Sequence, residues 1–159
     1  MTRDNAEFVK RFYSEMVGHG RLDAAEDLLA ADYVDHDVAP GHAGRNGIVS
    51  WLRAFDEGFR NRSVVLDDYV ESGDVVSVRW SLTATHTRAF LGFPASGETV
   101  EVTGTSVFRI EEERIVERWN HEDGLGLMRQ LTLLSAQSVK QDPRFQPGYT
   151  RTVALAGAI

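Results

Sequence analysis

Apolar residues recur every three or four positions along the first part of the chain and every second position along much of the rest. Phe8, Phe12 and Met16 stand four apart and predict a first helix. Asp4 and Glu7 have the spacing of a capping box at its start, and Gly18-His19-Gly20 marks its end. Leu22, Ala25, Leu28 and Leu29 predict a shorter second helix, and Tyr33-Val34-Asp35-His36-Asp37 a short extended piece ending at Pro40-Gly41. Ile48, Leu52, Phe55 and Phe59 then predict a third helix, with Trp51 beside its apolar stripe.

From Ser63 the period changes to two. Val64–Val70 and Val75–His86 flank Ser72-Gly73-Asp74, a hairpin signal. Thr99–Ile110 and Arg114–Asp123 flank Glu111-Glu112-Glu113, a second hairpin without glycine. Val76, Val78, Trp80, Leu82, Ala84 and His86 share one face of their strand. Between the hairpins, Phe90–Gly97 is a Gly/Pro loop, and a short helix over about 125–134 closes the pattern.

The last strand starts apolar and ends acidic. On a strict two-residue period Ile115, Glu117, Trp119, His121 and Asp123 share one face. Turned toward a pocket, that face sets a proton-transfer group against an apolar wall.

Helices grouped ahead of antiparallel strands predict an α+β domain, and a sheet curved around helices leaves a cavity for a ligand. A length of 159 residues, 42% hydrophobic and 26% charged, suits one globular domain. The formal charge of −7, with no basic run, argues against nucleic acid as a partner. Without cysteine there is neither a disulfide nor a thiolate nucleophile. The polar start lacks a signal-peptide core and no apolar run is long enough to span a bilayer, so a soluble cytoplasmic protein without membrane contact is expected. Asp35-His36-Asp37 and His121-Glu122-Asp123 alternate faces along a strand, so no metal site is expected, and no Gly-x-Ser-x-Gly occurs. Residues 1–136 read as the domain, and 137–159 as an extension without regular structure that lies against a neighbouring subunit.

Four segments carry a family resemblance. They are Tyr33-Val34-Asp35-His36 before Gly44-Arg45-Asn46-Gly47; Gly73–Arg79; Thr85-His86 leading to Phe90–Gly97; and Glu117–Asp123 followed by Gln130-Leu131. In this order the chain resembles the SnoaL-like polyketide cyclases, cone-shaped α+β barrels related to nuclear transport factor two, in which a curved antiparallel sheet wraps around N-terminal helices. The resemblance implies cofactor-free intramolecular aldol ring closure of an aromatic polyketide ester in secondary metabolism, such as antibiotic biosynthesis. Asp123 matches the family's acid/base aspartate, with Trp119 as an apolar wall that raises its pKa. His36 and His86 match polar pocket positions, and Arg109 a polar position across the hairpin from Asp123.

Each assignment has a plainer reading. Asp123 at a strand-to-helix junction is also a natural N-cap, and His86 on an apolar face also a core residue. His36 also suits a turn, and Arg109 an outward position. Phe12, Tyr13, Trp51, Phe55, Trp80 and Phe93 are core candidates that also suit the wall of a pocket for flat rings. The chain departs from the family pattern at Ala84, where glycine is usual, and at Arg88, where a small residue is common. The alternatives are a hydroxylase, isomerase or epoxide hydrolase acting on a polycyclic substrate, or a non-catalytic ligand-binding protein of the same fold. The Thr/Val alternation over 99–110 suggests an outer sheet face in need of cover, and hence a homodimer or higher homo-oligomer.

Overall fold

A computed structural model describes residues 4–38 and 41–141, with side chains up to 133. The elements are α1 (Ala6–Arg11), which continues as a π-helical segment (Phe12–Gly18), a 3-10 turn (Leu22–Ala24), α2 (Ala25–Leu28), β1 (Leu29–Asp35) and α3 (Arg45–Gly58). They are followed by β2 (Phe59–Ser72), β3 (Val75–His86), β4 (Thr99–Glu111), β5 (Arg114–Glu122) and α4 (Gly124–Gln141).

The five strands form one curved sheet in the order β1-β5-β4-β3-β2, with the helices against its inner face. Adjacent pairs are antiparallel except β1 with β5, which run parallel. The sheet is therefore mixed, where the sequence predicts an antiparallel one. A strand arriving from the helical half of the chain is not bound by hairpin geometry. The inner face follows the predicted alternation on β3, where Val76, Val78, Trp80, Leu82, Ala84 and His86 are all buried. Val100, Val102, Ser106, Phe108 and Ile110 of β4 join them. Glu101, Thr103, Thr105, Val107 and Arg109 take the other face of β4. Most of the valines thus point inward, and the outer face is more polar than expected.

Three local outcomes differ from the sequence pattern. The Asp4/Glu7 capping box does not form, since no side chain of the helix caps its start. The carboxylate of Glu71 on β2 accepts from the Asn5 and Ala6 backbone N–H groups at 3.1 and 3.3 Å and takes that role. Phe59 opens β2 instead of extending α3, yet stays fully buried and stacked on Phe55 at 4.6 Å. Helix α4 runs past 137 to Gln141, and the rest of the extension, 142–159, lies outside the described residues.

A fourth difference reorders β5. Ile110 pairs with Ile115 but Arg109 pairs with Glu117, so Val116 is an extra residue in β5. A bulge of this kind reverses the alternation beyond it. Ile115 and Arg118, three apart, are both buried, and Asn120 and Glu122 follow on the inner side. Trp119, His121 and Glu117 go to the outer side, so Ile115 and Trp119 do not share a face.

Candidate active site

A cavity of about 580 Å³ opens between the helices and the sheet. That is within the usual range for a small-molecule site. Its walls are apolar: Phe12 and Val17 from the first helix, Ile48, Trp51, Leu52 and Phe55 from α3, Leu82 and Val102 from the sheet, and Leu127 and Met128 from α4. Phe90 and Leu91 of the Gly/Pro loop complete them. The π-helical turn is wider than an α-turn, and the adjacent Phe12 and Tyr13 are both buried and both line the cavity.

Polar groups collect on one side, on β5 and the segment after β1. Arg118, Asn120, Glu122, Asp37 and His42 line the cavity there, with Tyr13 and Trp80 facing them. Ser106 on β4 ties the group together. Trp80 donates its indole N–H to Ser106 Oγ at 3.1 Å, and Tyr13 Oη lies 2.7 Å from the same oxygen. Ser106 Oγ is 2.7 Å from Asn120 Oδ1, and Asn120 Nδ2 is 3.3 Å from Glu122 Oε2.

The directions of these bonds follow from the donors available. A carboxylate only accepts, so the amide NH₂ of Asn120 faces Glu122 and its carbonyl faces Ser106. Ser106 has one hydrogen, which goes to that carbonyl, and Tyr13 must then donate to Ser106. Each group satisfies the next, and the amide plane of Asn120 is fixed.

Arg118 lies under Phe12 and Phe108, with its guanidinium carbon 5.2 and 5.9 Å from their ring centres. Its Nη1 donates to Asp35 Oδ2 at 3.0 Å, and Tyr33 Oη donates to the same oxygen at 3.0 Å. Burial opposes the charge of Arg118, while the Asp35 carboxylate that accepts its hydrogen bond favours it, and the pKa lies above the ordinary value. Burial likewise raises the phenols of Tyr13 and Tyr33, so both stay protonated at neutral pH. Asp37 accepts from the Asn120 backbone N–H at 2.8 Å and holds the segment after β1 against β5.

Of the residues expected at the site, Phe12, Tyr13, Trp51, Phe55 and Trp80 line the cavity, and the others lie elsewhere. Asp123 is exposed and is the helix cap: its Oδ1 accepts from the Gly126 N–H at 2.8 Å, and its carbonyl from the Leu127 N–H at 3.1 Å. His36 is on the outer side, stacked on Trp119 at 4.5 Å and 7°, with Nε2 3.5 Å from Glu117. The bulge at Val116 puts Trp119 there.

His86 faces inward but is fully buried against Phe59, with Nδ1 3.3 Å from Ser96 Oγ, and does not reach the cavity. Arg109 points outward and pairs with Glu117 and Asp74 at 2.9 and 2.6 Å. Phe93 is half-buried, packs on the core and bridges to Phe90. The polar cavity residues that sequence reading misses are Arg118, Asn120 and Glu122, which the bulge turns inward without a local sequence signal, and Asp37 and His42, which lie in irregular backbone.

A curved sheet closed by helices around one apolar pocket with a polar side defines a barrel of the nuclear-transport-factor-two type. The chain belongs to the SnoaL-like polyketide cyclase family, which matches residues 7–131. Among solved structures it is similar to TsrD from Streptomyces laurentii, at 26% identity over 82% of this chain and 97% of that one, with a TM-score of 0.73. It is similar also to IdmH from Streptomyces antibioticus, a proposed polyketide cyclase, at 25% identity over 82% and 99% of the two chains and a TM-score of 0.72. AclR from Streptomyces galilaeus, a proposed hydroxylase, shares the fold at 22% identity over 82% and 98% of the two chains, with a TM-score of 0.68. No curated protein matches the chain.

Proposed function

We propose that the protein is a cofactor-free aldol cyclase, closing a ring in an aromatic polyketide ester of secondary metabolism; its membership of the polyketide cyclase family supports the cyclase part of that reading. The observation that carries this reading is the cavity: an aromatic and aliphatic sleeve suited to flat fused rings, with two carboxylates at its polar side. Aldol closure needs a base for a carbon acid already activated between two carbonyls, and an acid for the alkoxide that forms. One carboxylate serves both steps, giving back in the second the proton it took in the first.

Glu122 is the carboxylate to which we give that role, since it lines the cavity and is tied to the buried polar group through Asn120. The neighbouring Asp123, which the family pattern favours, spends its carboxylate on the start of α4. The test is mass spectrometry of the products from a linear aromatic polyketide methyl ester. A cyclase yields an isomer of unchanged mass with one more ring, whereas a gain of one oxygen indicates a hydroxylase and overturns the reading. Glu122→Gln is expected to lower kcat by about 10²–10⁴-fold, more than Asp123→Asn does. The reverse order returns the acid/base role to Asp123.

A further inference from the structure

The amide of Asn120 has a use that its contacts inside the protein leave open. One Nδ2 hydrogen goes to Glu122 Oε2, and the carbonyl accepts from Ser106. The second Nδ2 hydrogen has no partner among the described residues, and Asn120 lines the cavity beside Glu122. An N–H donor thus sits 3.3 Å from a carboxylate oxygen on the same wall, both projecting from one face of β5. An enolisable ketone presents a matching pair of groups on neighbouring atoms: a carbonyl oxygen that accepts, and an adjacent C–H that gives up a proton.

We infer that Asn120 is a catalytic residue, donating a hydrogen bond to the carbonyl oxygen next to the carbon that Glu122 deprotonates, and that Ser106 positions it. The inference rests on the base role proposed for Glu122. In the step, Glu122 Oε1 takes the proton, the C–H electron pair becomes the C=C bond of the enolate, and the negative charge grows on the oxygen bonded to Asn120. The enolate carbon then attacks the second carbonyl, and the protonated Glu122 returns its proton to the new alkoxide. A donor aimed where charge develops stabilises the transition state more than the neutral ketone.

Trp80 and Tyr13 both donate into Ser106 and so commit its only hydrogen to the carbonyl of Asn120. That prevents the amide from flipping and presenting oxygen to the substrate. The site is thereby specific for substrates with an activated CH–C=O unit at the polar end and flat rings along the sleeve.

The experiment follows exchange of the activated methylene of ethyl 2-naphthoylacetate in deuterated buffer by proton NMR, as the rate above buffer alone. Quenching of the cavity tryptophans Trp51 and Trp80 reports binding of the same probe. Asn120→Ala is expected to lower kcat for exchange about 100-fold, with a much smaller change in KM. Asn120→Asp is the near-isosteric companion, which keeps the volume and removes the donor, and it should lose at least as much. Ser106→Ala should lose about tenfold, between the wild type and Asn120→Ala.

If Asn120→Ala and Asn120→Asp exchange at the wild-type rate while Glu122→Gln does not, the inference is overturned and the role of Glu122 stands. A wild type that fails to bind the probe, or exchanges it no faster than Glu122→Gln, overturns the base assignment and the inference with it.

Discussion

Gly104 shows how one missing methyl shapes the pocket. A β-carbon there would meet the six-membered ring of Trp80 and, at 2.8 Å, the carbonyl oxygen of His121. The indole therefore packs directly over Gly104 and brings its N–H to Ser106. Gly104→Ala is expected to displace Trp80 and cost about 1–3 kcal/mol of stability, the usual range for overpacking. Urea titration followed by tryptophan fluorescence reads both effects. An unchanged midpoint and emission maximum count against this packing.

His86 carries the pH dependence. Burial lowers its pKa below the usual 6.5, with the Arg88 backbone opposing in part, and Nε2 is buried without a partner among the described residues. The folded protein holds the imidazole neutral, whereas the unfolded chain binds a proton below about 6.5. The stabilisation is therefore full above that pH and declines as pH falls toward the lower folded-state value. Urea midpoints should fall between pH 7.5 and 5.5, and less steeply in His86→Phe. Equal slopes in the two proteins would remove His86 as the cause.

Between elements, one contact and one turn depart from what local sequence offers. Glu71 caps α1 from across the fold. Glu71→Ala should cost about 1 kcal/mol, the ordinary value of an N-cap, measurable by chemical denaturation. The β4–β5 hairpin turns through Glu112 and Glu113 at φ of 47° and 62°, a left-handed region that suits glycine. Glu112→Gly is expected to raise stability by roughly 0.5–1 kcal/mol, seen as a higher melting temperature. A lower melting temperature would show that the Glu112 side chain makes a contact worth more than the strain.

The bulge at Val116 matters most at this scale. Without it, strict alternation places Trp119, His121 and Asp123 on the face of Ile115, as the sequence suggests. With it, the same strand sends Arg118, Asn120 and Glu122 to the cavity. The strand and its hairpin are legible in the residues because β-branched alternation and an acidic turn are local signals. Its phase is not, since one unpaired residue is set by how β5 fits β4 on one side and β1 on the other.

For the whole molecule, the expected homodimer is a proposal that light scattering decides, and a monomer at micromolar concentration would count against it. The more polar outer face of β4 weakens the argument from an uncovered apolar sheet, though Tyr69 and Val70 on β2 remain exposed. Among the described residues no helix is long and apolar enough to cross a membrane.

Local pattern along the chain carried the order of elements, the buried face of β3 and the family resemblance. All of these rest on periodicity or on residues close together in the chain. Long-range pairing sets the opening strand parallel to β5, leaves Asp123 capping a helix while Glu122 faces the cavity, and keeps His36 and His86 apart from it. Those outcomes depend on strand register and on which groups meet across the sheet. They follow from long-range pairing and from the need to satisfy buried polar atoms, and a two-residue period carries neither.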